Sequence, residues 1–497
     1  MEPQPVHESS ANKTSLLHKQ STHQKGFFHA FLCSPLLWLG MLAKEMHWSF
    51  VYGVVAVNGV SQGLGGAVAR VATDYYWKDV QRVEPSEAQV YQGITSLPWI
   101  VKPLWGLLTD VLPVGGYRRR PYFILAGFLG GVSMLILWLQ KDLCPLLALL
   151  LMTVGSAGVA IADVTIDACV AENSANHPLL ASDMQSLCGL SSSVGGLLGF
   201  AISGQLMNAL GSKGVLGLLS IPASLVVSVG MVLKEPQVPV STQKQICEKL
   251  VEAKDTMWET MKCSDVWRPC VFMFTSLAVS INIQEGMFYW YTDTESGPSF
   301  SQGTISFIYS VGSAGSLLGV TLYQTFLKRC PFRSLLFWTQ LLSSLAGFLD
   351  LALLLRLNRR LRMPDPLFAV ADEGVSQLIG RVRWMPLLVL SARLCPGGVE
   401  GAFFALLMAV DHAAMLVSSW GGGALLRLLS VSRSEFGNLW VAVVVRNVLR
   451  LLPLGLLFLI PETDLGASAT AGGGGESREG VEEGGGEIER LLVGGKV

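Results

Sequence analysis

Between residues 49 and 460 the sequence keeps returning to one pattern: roughly twenty mostly apolar residues, the length that crosses a bilayer as a helix, then a short break with charge, Gly or Pro. No water-soluble core absorbs that much apolar chain. Of the 497 residues 51% are hydrophobic and 15% charged, and mean hydropathy is +0.46, so lipid must be part of the solvent. In hydrocarbon every backbone amide has to be satisfied by the chain itself, which makes the repeated stretches helices. The expected fold class is an all-α membrane protein with about twelve transmembrane helices in two six-helix halves.

The windows fall near 49–69, 89–112, 121–140, 145–171, 183–210 and 214–233, then near 267–291, 303–326, 332–356, 384–410, 412–430 and 437–460. Five regions are expected: a cytosolic N-terminus over 1–48, a first half over 49–233, a linker over 234–266, a second half over 267–461 and a tail over 462–497. Phe27 to Leu42 is apolar but short and contains Pro35, so it reads as an interfacial segment. Lys244 to Lys262 can form a surface helix. The Gly- and Glu-rich tail, with its Gly472 to Gly475 run, is too poor in apolar residues to fold alone. Met1 to Lys25 lacks an apolar h-region, so no cleaved signal is expected. With both termini cytosolic, 19 Lys and Arg lie inside and 13 outside, the expected bias. Six of the outer arginines fall in one segment, 356–383, read as a loop.

A formal net charge of -1 leaves no electrostatic footprint for nucleic acid. The nine cysteines contain no C-x-x-C pair, so neither a zinc site nor a disulfide framework is expected. No H-E-x-x-H, G-x-S-x-G or P-loop pattern is present, and no enzyme chemistry, cofactor or metal is expected.

An ionisable side chain at mid-bilayer costs about 2.5 to 3.5 kcal/mol on insertion scales, so embedded charge is a functional candidate. In a facilitator arrangement the first, fourth, seventh and tenth helices line the central cavity, and those windows hold most of it. The first offers Asn58 and Gln62, the fourth Asp163 and Asp167, each pair one turn apart on a face. The seventh offers Asn282 and Glu285, with Tyr289 on the same stripe. The tenth window offers Arg393 and Glu400, two turns apart along one face. Lys102 adds a cation between Pro98 and Pro103, beside Trp99 and Trp105. Glu285 is the expected proton-coupling carboxylate. Structural readings stand beside these: Lys102 pairing Asp110 or snorkelling, Asp163 and Asp167 tied to Arg118–Arg120, and Arg393 with Glu400 as a buried salt bridge. Arg446 and Arg450 call for an anion, a carboxylate or the interface. Gly127-x-x-x-Gly131 and Gly195-x-x-x-Gly199 signal close helix packing.

KPLWGLLTDVLPVGGYRRRP at 102–121 carries Gly106, Asp110 and Arg118, Arg119 and Arg120, and resembles the loop motif of major facilitator proteins. Taken with SQGLGGAVARVATDYYWKDVQ at 61–81, IADVTIDACVAENS at 161–174, LLGVTLYQTFLK at 317–328 and RLCPGGVEGAFFALLMAV at 393–410, it resembles the folate-biopterin transporter family, in particular its plant-type members. The resemblance covers roughly residues 35 to 461. It implies a facilitator fold and transport of folates or pterins coupled to protons; a monomer is expected, and the membrane stays open among plasma membrane, vacuole and plastid envelope. A folate suits the embedded groups: carboxylates for the pterin donors, Lys102 and Arg393 for the glutamyl carboxylates, and Trp99, Phe288 and Trp290 for stacking. Ala409, Val410, Asp411 and His412 depart from the Ser/Asn-rich turn of that pattern. A carrier of another organic anion, or a sensor that kept the fold, remains open at this stage.

Overall fold

A computed structural model describes residues 35–237, 251, 255, 258–328, 330–393 and 400–460, with only the backbone described at 35–37, 265, 391–393 and 400–404. Among these residues regular structure is all helical, apart from an isolated bridge between Val114 and Tyr117. The chain divides into two units, Met1–Tyr52 and Gly53–Val497. The first contains the helix Pro35–Glu45, and Trp48–Val54 begins within it. The Phe27 end of the expected interfacial segment, most of the linker and the whole tail from residue 461 lie outside the described residues.

In the second unit the first run is helical over Val55–Gly65, Gly66–Tyr75 and Tyr76–Val80, with wider π-helical turns at both ends. Such turns are rare and concentrate at functional sites; this one carries Asn58 and Gln62. The second run, Pro85–Thr95, Leu97–Ile100 and Lys102–Val111, is interrupted twice because Pro98 and Pro103 cannot donate to the preceding turn. The third and fourth are Arg120–Leu139 and Pro145–Asn176. The fifth and sixth lie within Pro178–Val232, kinked at Gly211, whose φ of 66° only glycine holds without strain.

In the second half, Ser264–Ala278 and Gln284–Tyr291 form a broken seventh run. Gln302–Leu327, Phe332–Leu354, Asp365–Arg393, Glu400–Leu428 and Leu439–Leu459 follow. Starts are chemically marked: Glu84 and Glu87 form a capping box, and the Ser301 hydroxyl accepts from the Thr304 amide at 3.2 Å. Six of the helical stretches are long and apolar enough to cross a membrane; the other runs carry embedded charges or breaks. Close approach fixes the packing. A Cβ on Gly195 would strike the Gly59 carbonyl, and one on Gly199 would come within 2.6 Å of the Leu64 carbonyl, so the fifth run lies directly on the first.

The structure corrects the second half of the sequence reading. Segment 356–383 is mostly helix: the tenth run starts at Asp365, and Arg381 and Arg383 lie inside it. Its charges lowered the hydropathy and moved the expected window about one helix length along the chain. The described helix reaches Arg393 and resumes at Glu400; the residues between them lie outside the described residues. Pro396, Gly397 and Gly398 between them are the sequence's own helix breakers. At the start of the tenth run Asp365 takes Arg356 at 2.5 Å, Arg359 at 2.7 Å and the Asn358 amide at 2.7 Å.

Candidate functional site

Most of the sequence-selected groups of the first half meet at one place. The break at Val101 ends one short helix, and Lys102 opens the next, which aims its side chain at the fourth run. Its ammonium pairs with Asp163 as the nearer partner and with Asp167 Oδ2 at 3.4 Å. Gln62 Nε2 donates to Asp163 Oδ1 at 2.6 Å. Asp163 is buried, whereas the Asp167 side chain is 59% exposed, so one carboxylate anchors the cation while the other faces open space. One ammonium against two carboxylates leaves a surplus negative charge. Neither Asp110 nor the Arg118–Arg120 loop takes part.

Trp99 stands over this cluster, its ring centre 5.7 Å from Lys102 Nζ. Its indole donates to Ser156 Oγ at 3.2 Å, and its face stacks on His412, with ring centres 5.7 Å apart and planes within 10°. Trp99 belongs to the first half and His412 to the second, so the stack bridges them. Asn58 is buried beside the Cys188 thiol of the fifth run.

Glu285 lies in a second cluster, fully buried, with Oε1 3.4 Å from Arg70 Nη2. Arg70 Nε also pairs Asp74 Oδ2 at 3.3 Å, and the Tyr309 hydroxyl reaches the same oxygen at 3.3 Å. Gln89 accepts from the Glu285 amide at 3.0 Å and donates to Ser419 at 2.9 Å. Asp74 Oδ1 and Glu285 Oε2 have no hydrogen-bond partner among the described residues. Further contacts between the halves lie toward the same end of the bundle. Lys78 donates to Thr292 Oγ1 at 2.5 Å, Tyr289 to the Val83 carbonyl at 3.1 Å, and the Arg433 amide to Glu84 at 3.1 Å. Ser203 meets Ser306 at 2.9 Å. The halves are latched where the chain turns after residues 80 and 291.

At the opposite end Arg119 joins Asp110 at 2.7 Å and Thr109 at 2.9 Å, while Gly106 lets Val164 come within 3.4 Å of where a Cβ would stand. Glu235 accepts the backbone amides of Arg118, Arg119 and Arg120 at 2.7, 2.9 and 3.1 Å, filling the orphan donors at the start of the third run. Phe288 and Trp290 are buried; Trp290 faces the Arg356 guanidinium at 5.0 Å. The side chains of Arg393 and Glu400 lie outside the described residues.

Sequence reasoning missed Arg70 and Asp74, although their i, i+4 spacing was visible, because the hydropathy window closed at residue 69. It also missed a cavity of about 290 Å³ within the second half, whose wall includes Asp350, Asp372, Glu373, Arg383, Arg446 and Arg450.

Over residues 62–471 the sequence matches the BT1 family. A relative from Arabidopsis thaliana, "Probable folate-biopterin transporter 2", is 60% identical over 437 residues, 88% of each chain. "Folate-biopterin transporter" from Synechocystis sp. is 32% identical over 428 residues, 85% of this chain and 84% of that one. A crystal structure of a D-xylose-proton symporter aligns with a TM-score of 0.57 at 16% identity, covering 83% of this chain and 97% of its own. That likeness carries the fold, which is of the major facilitator type. The chain is an integral, multi-pass membrane protein, and it belongs to the BT1 family.

Proposed function

We propose that this chain is a secondary transporter that moves folates or related pterins across a membrane by alternating access, as a monomer and coupled to protons. The observation that carries the reading is the Lys102 cluster: Lys102, Asp163, Asp167 and Gln62, roofed by the Trp99–His412 stack that joins the halves. A pterin ring is flat and presents an amino group and a ring N–H side by side. The surplus carboxylate charge, with Asp167 open, accepts those donors, and Trp99 offers a stacking face. Lys102 holds both carboxylates in place. The names of the relatives support the same substrate class.

Alternating access follows from where the halves are joined. With both termini cytosolic the latched end is the outer one, and opening it means parting Arg70 from Glu285, Lys78 from Thr292 and Arg433 from Glu84. Asp74 and Glu285 share one guanidinium, so a proton on Glu285 removes the unmatched negative charge and loosens its hold on Arg70. Proton binding and gate opening are thereby linked. At the inner end Gly106, Asp110 and the Arg118–Arg120 loop act as the gating element.

Uptake of labelled folate into transporter-deficient cells, against excess biopterin, methotrexate or an unrelated aromatic acid, tests the substrate class. Saturable uptake suppressed by the two pterins and not by the unrelated acid is expected. Uptake that the unrelated acid suppresses equally well would replace this reading with that of a general organic-anion carrier.

A further inference from the structure

The cavity inside the second half holds what the Lys102 cluster lacks: guanidiniums that no carboxylate hydrogen-bonds among the described residues. At about 290 Å³ it stands at the small end of ligand pockets, which run from about 300 to 1,000 Å³. It suits one end of a folate-sized molecule. Arg446 is already engaged, with Nη2 at 2.6 Å from Asp350 Oδ2. Arg383 and Arg450 differ. Arg383 Nη1 donates to Ser280 Oγ at 3.3 Å and to Gln340 Oε1 at 3.2 Å. Arg450 Nη1 donates to the Ser343 carbonyl at 3.2 Å, and its buried Nε has no partner among the described residues. Gln340 ties the two together, because its amide nitrogen donates to the Arg450 carbonyl.

Among the described residues the acids of the same wall hydrogen-bond neither Arg383 nor Arg450, although Asp350 and Asp372 exert a Coulombic pull on Arg450. Asp372 and Glu373 precede Arg383 by ten or eleven residues of one helix, about 15 Å at 1.5 Å per residue. They are hydrogen-bonded by Ser376 and Gln377 instead. Two guanidiniums with only neutral hydrogen-bond partners, set in a low-dielectric wall and facing one cavity, form a site for an anion.

Its position matches that of the first-half cluster. Asp163 lies eighteen residues into the fourth run and Arg383 eighteen into the tenth, and these runs are counterparts in the two halves of a facilitator fold. A short stretch of the eleventh run connects the surroundings of the two sites. His412 stacks on Trp99, and Ser418 donates to the carbonyl of Ser280, whose hydroxyl accepts from Arg383.

We infer that Arg383 and Arg450, joined through Gln340, form an anion site in the second half that takes the glutamate carboxylates of a folate, while its pterin end meets Asp163 and Asp167. The assignment rests on the transport reading above and names which half holds which end of the substrate. It also makes Lys102 an organiser of acids rather than the tail's partner.

The test uses the full chain, purified, with p-aminobenzoylglutamate as a probe of the tail and inorganic phosphate as a probe of free anions. Thermal stabilisation reports binding, and uptake KM is measured for folate and for biopterin, which lacks the tail. Arg383→Gln and Arg450→Gln are each expected to weaken p-aminobenzoylglutamate binding by about tenfold or more, the loss of one charge-assisted hydrogen bond. The ratio of folate KM to biopterin KM should rise by a similar factor. Should a Gln variant fail to accumulate, Arg383→Lys reads the same contrast, since it keeps the charge and loses the fork. Equal probe binding by wild type and variants, or KM values that rise together for both substrates, would overturn the assignment. Phosphate binding as tight as the probe's, and competitive with it, would give the site to a free anion and overturn it too. Failure of the transport reading shows separately, as wild type that carries neither substrate, because probe binding is measured without flux.

Discussion

The two halves treat their embedded charges in opposite ways. In the first, one lysine is shared by two aspartates and braced by Gln62, so the cluster is compact and mildly acidic. In the second, Arg383 and Arg450 rest on a hydroxyl, an amide and a carbonyl, so positive charge is left for something else to meet. A buried ion pair holds itself, whereas buried cations with neutral partners hold a ligand. The difference suggests a carrier that grips an amphoteric substrate by its donor end in one half and its acid end in the other.

The contrast breaks most visibly at Lys102. Lys102→Ala leaves Asp163 and Asp167 facing each other without a cation, and uptake should fall by about a hundredfold or more with abundance near normal. Adding Asp163→Asn to that variant should recover thermal stability without recovering uptake. Recovery of both would make Lys102 a structural brace.

A smaller effect is expected at the latch. Glu285→Gln fixes that side chain in its neutral form, and folate flux should lose most of its pH dependence while keeping a measurable rate. A flux–pH profile like that of wild type would remove Glu285 as the coupling group.

The smallest effect separates the outer loop from both sites. Asp365 is partly buried, which pushes its carboxyl up, but hydrogen bonds from Arg359 and Asn358 and the Arg356 charge outweigh burial and hold it below the usual carboxylate range. A depressed folded value means that its stabilisation is present above the ordinary carboxylate pKa, about 3.9, and is lost as pH falls through the lowered folded value. Asp365→Asn should therefore lower the thermal midpoint slightly at neutral pH and flatten its decline in acid, with KM unchanged for both substrates. A change in KM would tie this loop to substrate binding.

Much of the architecture was legible because hydropathy reports lipid exposure directly. The windows over the third and fourth runs lie close to Arg120–Leu139 and Pro145–Asn176. Legibility failed where function puts charge into a helix. Arg70 and Asp74 closed the first window early, and the arginines of 356–383 made a loop of what is largely helix. The meeting of Lys102 with Asp163 and Asp167 was foreseen as chemistry but not as contact. One sequence shows that each residue is out of place in lipid, and only packing shows which of them compensate one another. For the same reason the cavity of the second half was invisible: Asp350, Arg383 and Arg450 sit on three different helices with no sequence pattern to join them.

The account turns on flux through this chain, and the most direct measurement is accumulation of labelled folate by proteoliposomes of the purified full-length protein, with and without an inward proton gradient. The account predicts saturable uptake that rises above the equilibrium level only when the gradient is imposed and collapses when it is dissipated. Correctly inserted, folded protein that gives no saturable uptake in either condition would contradict it.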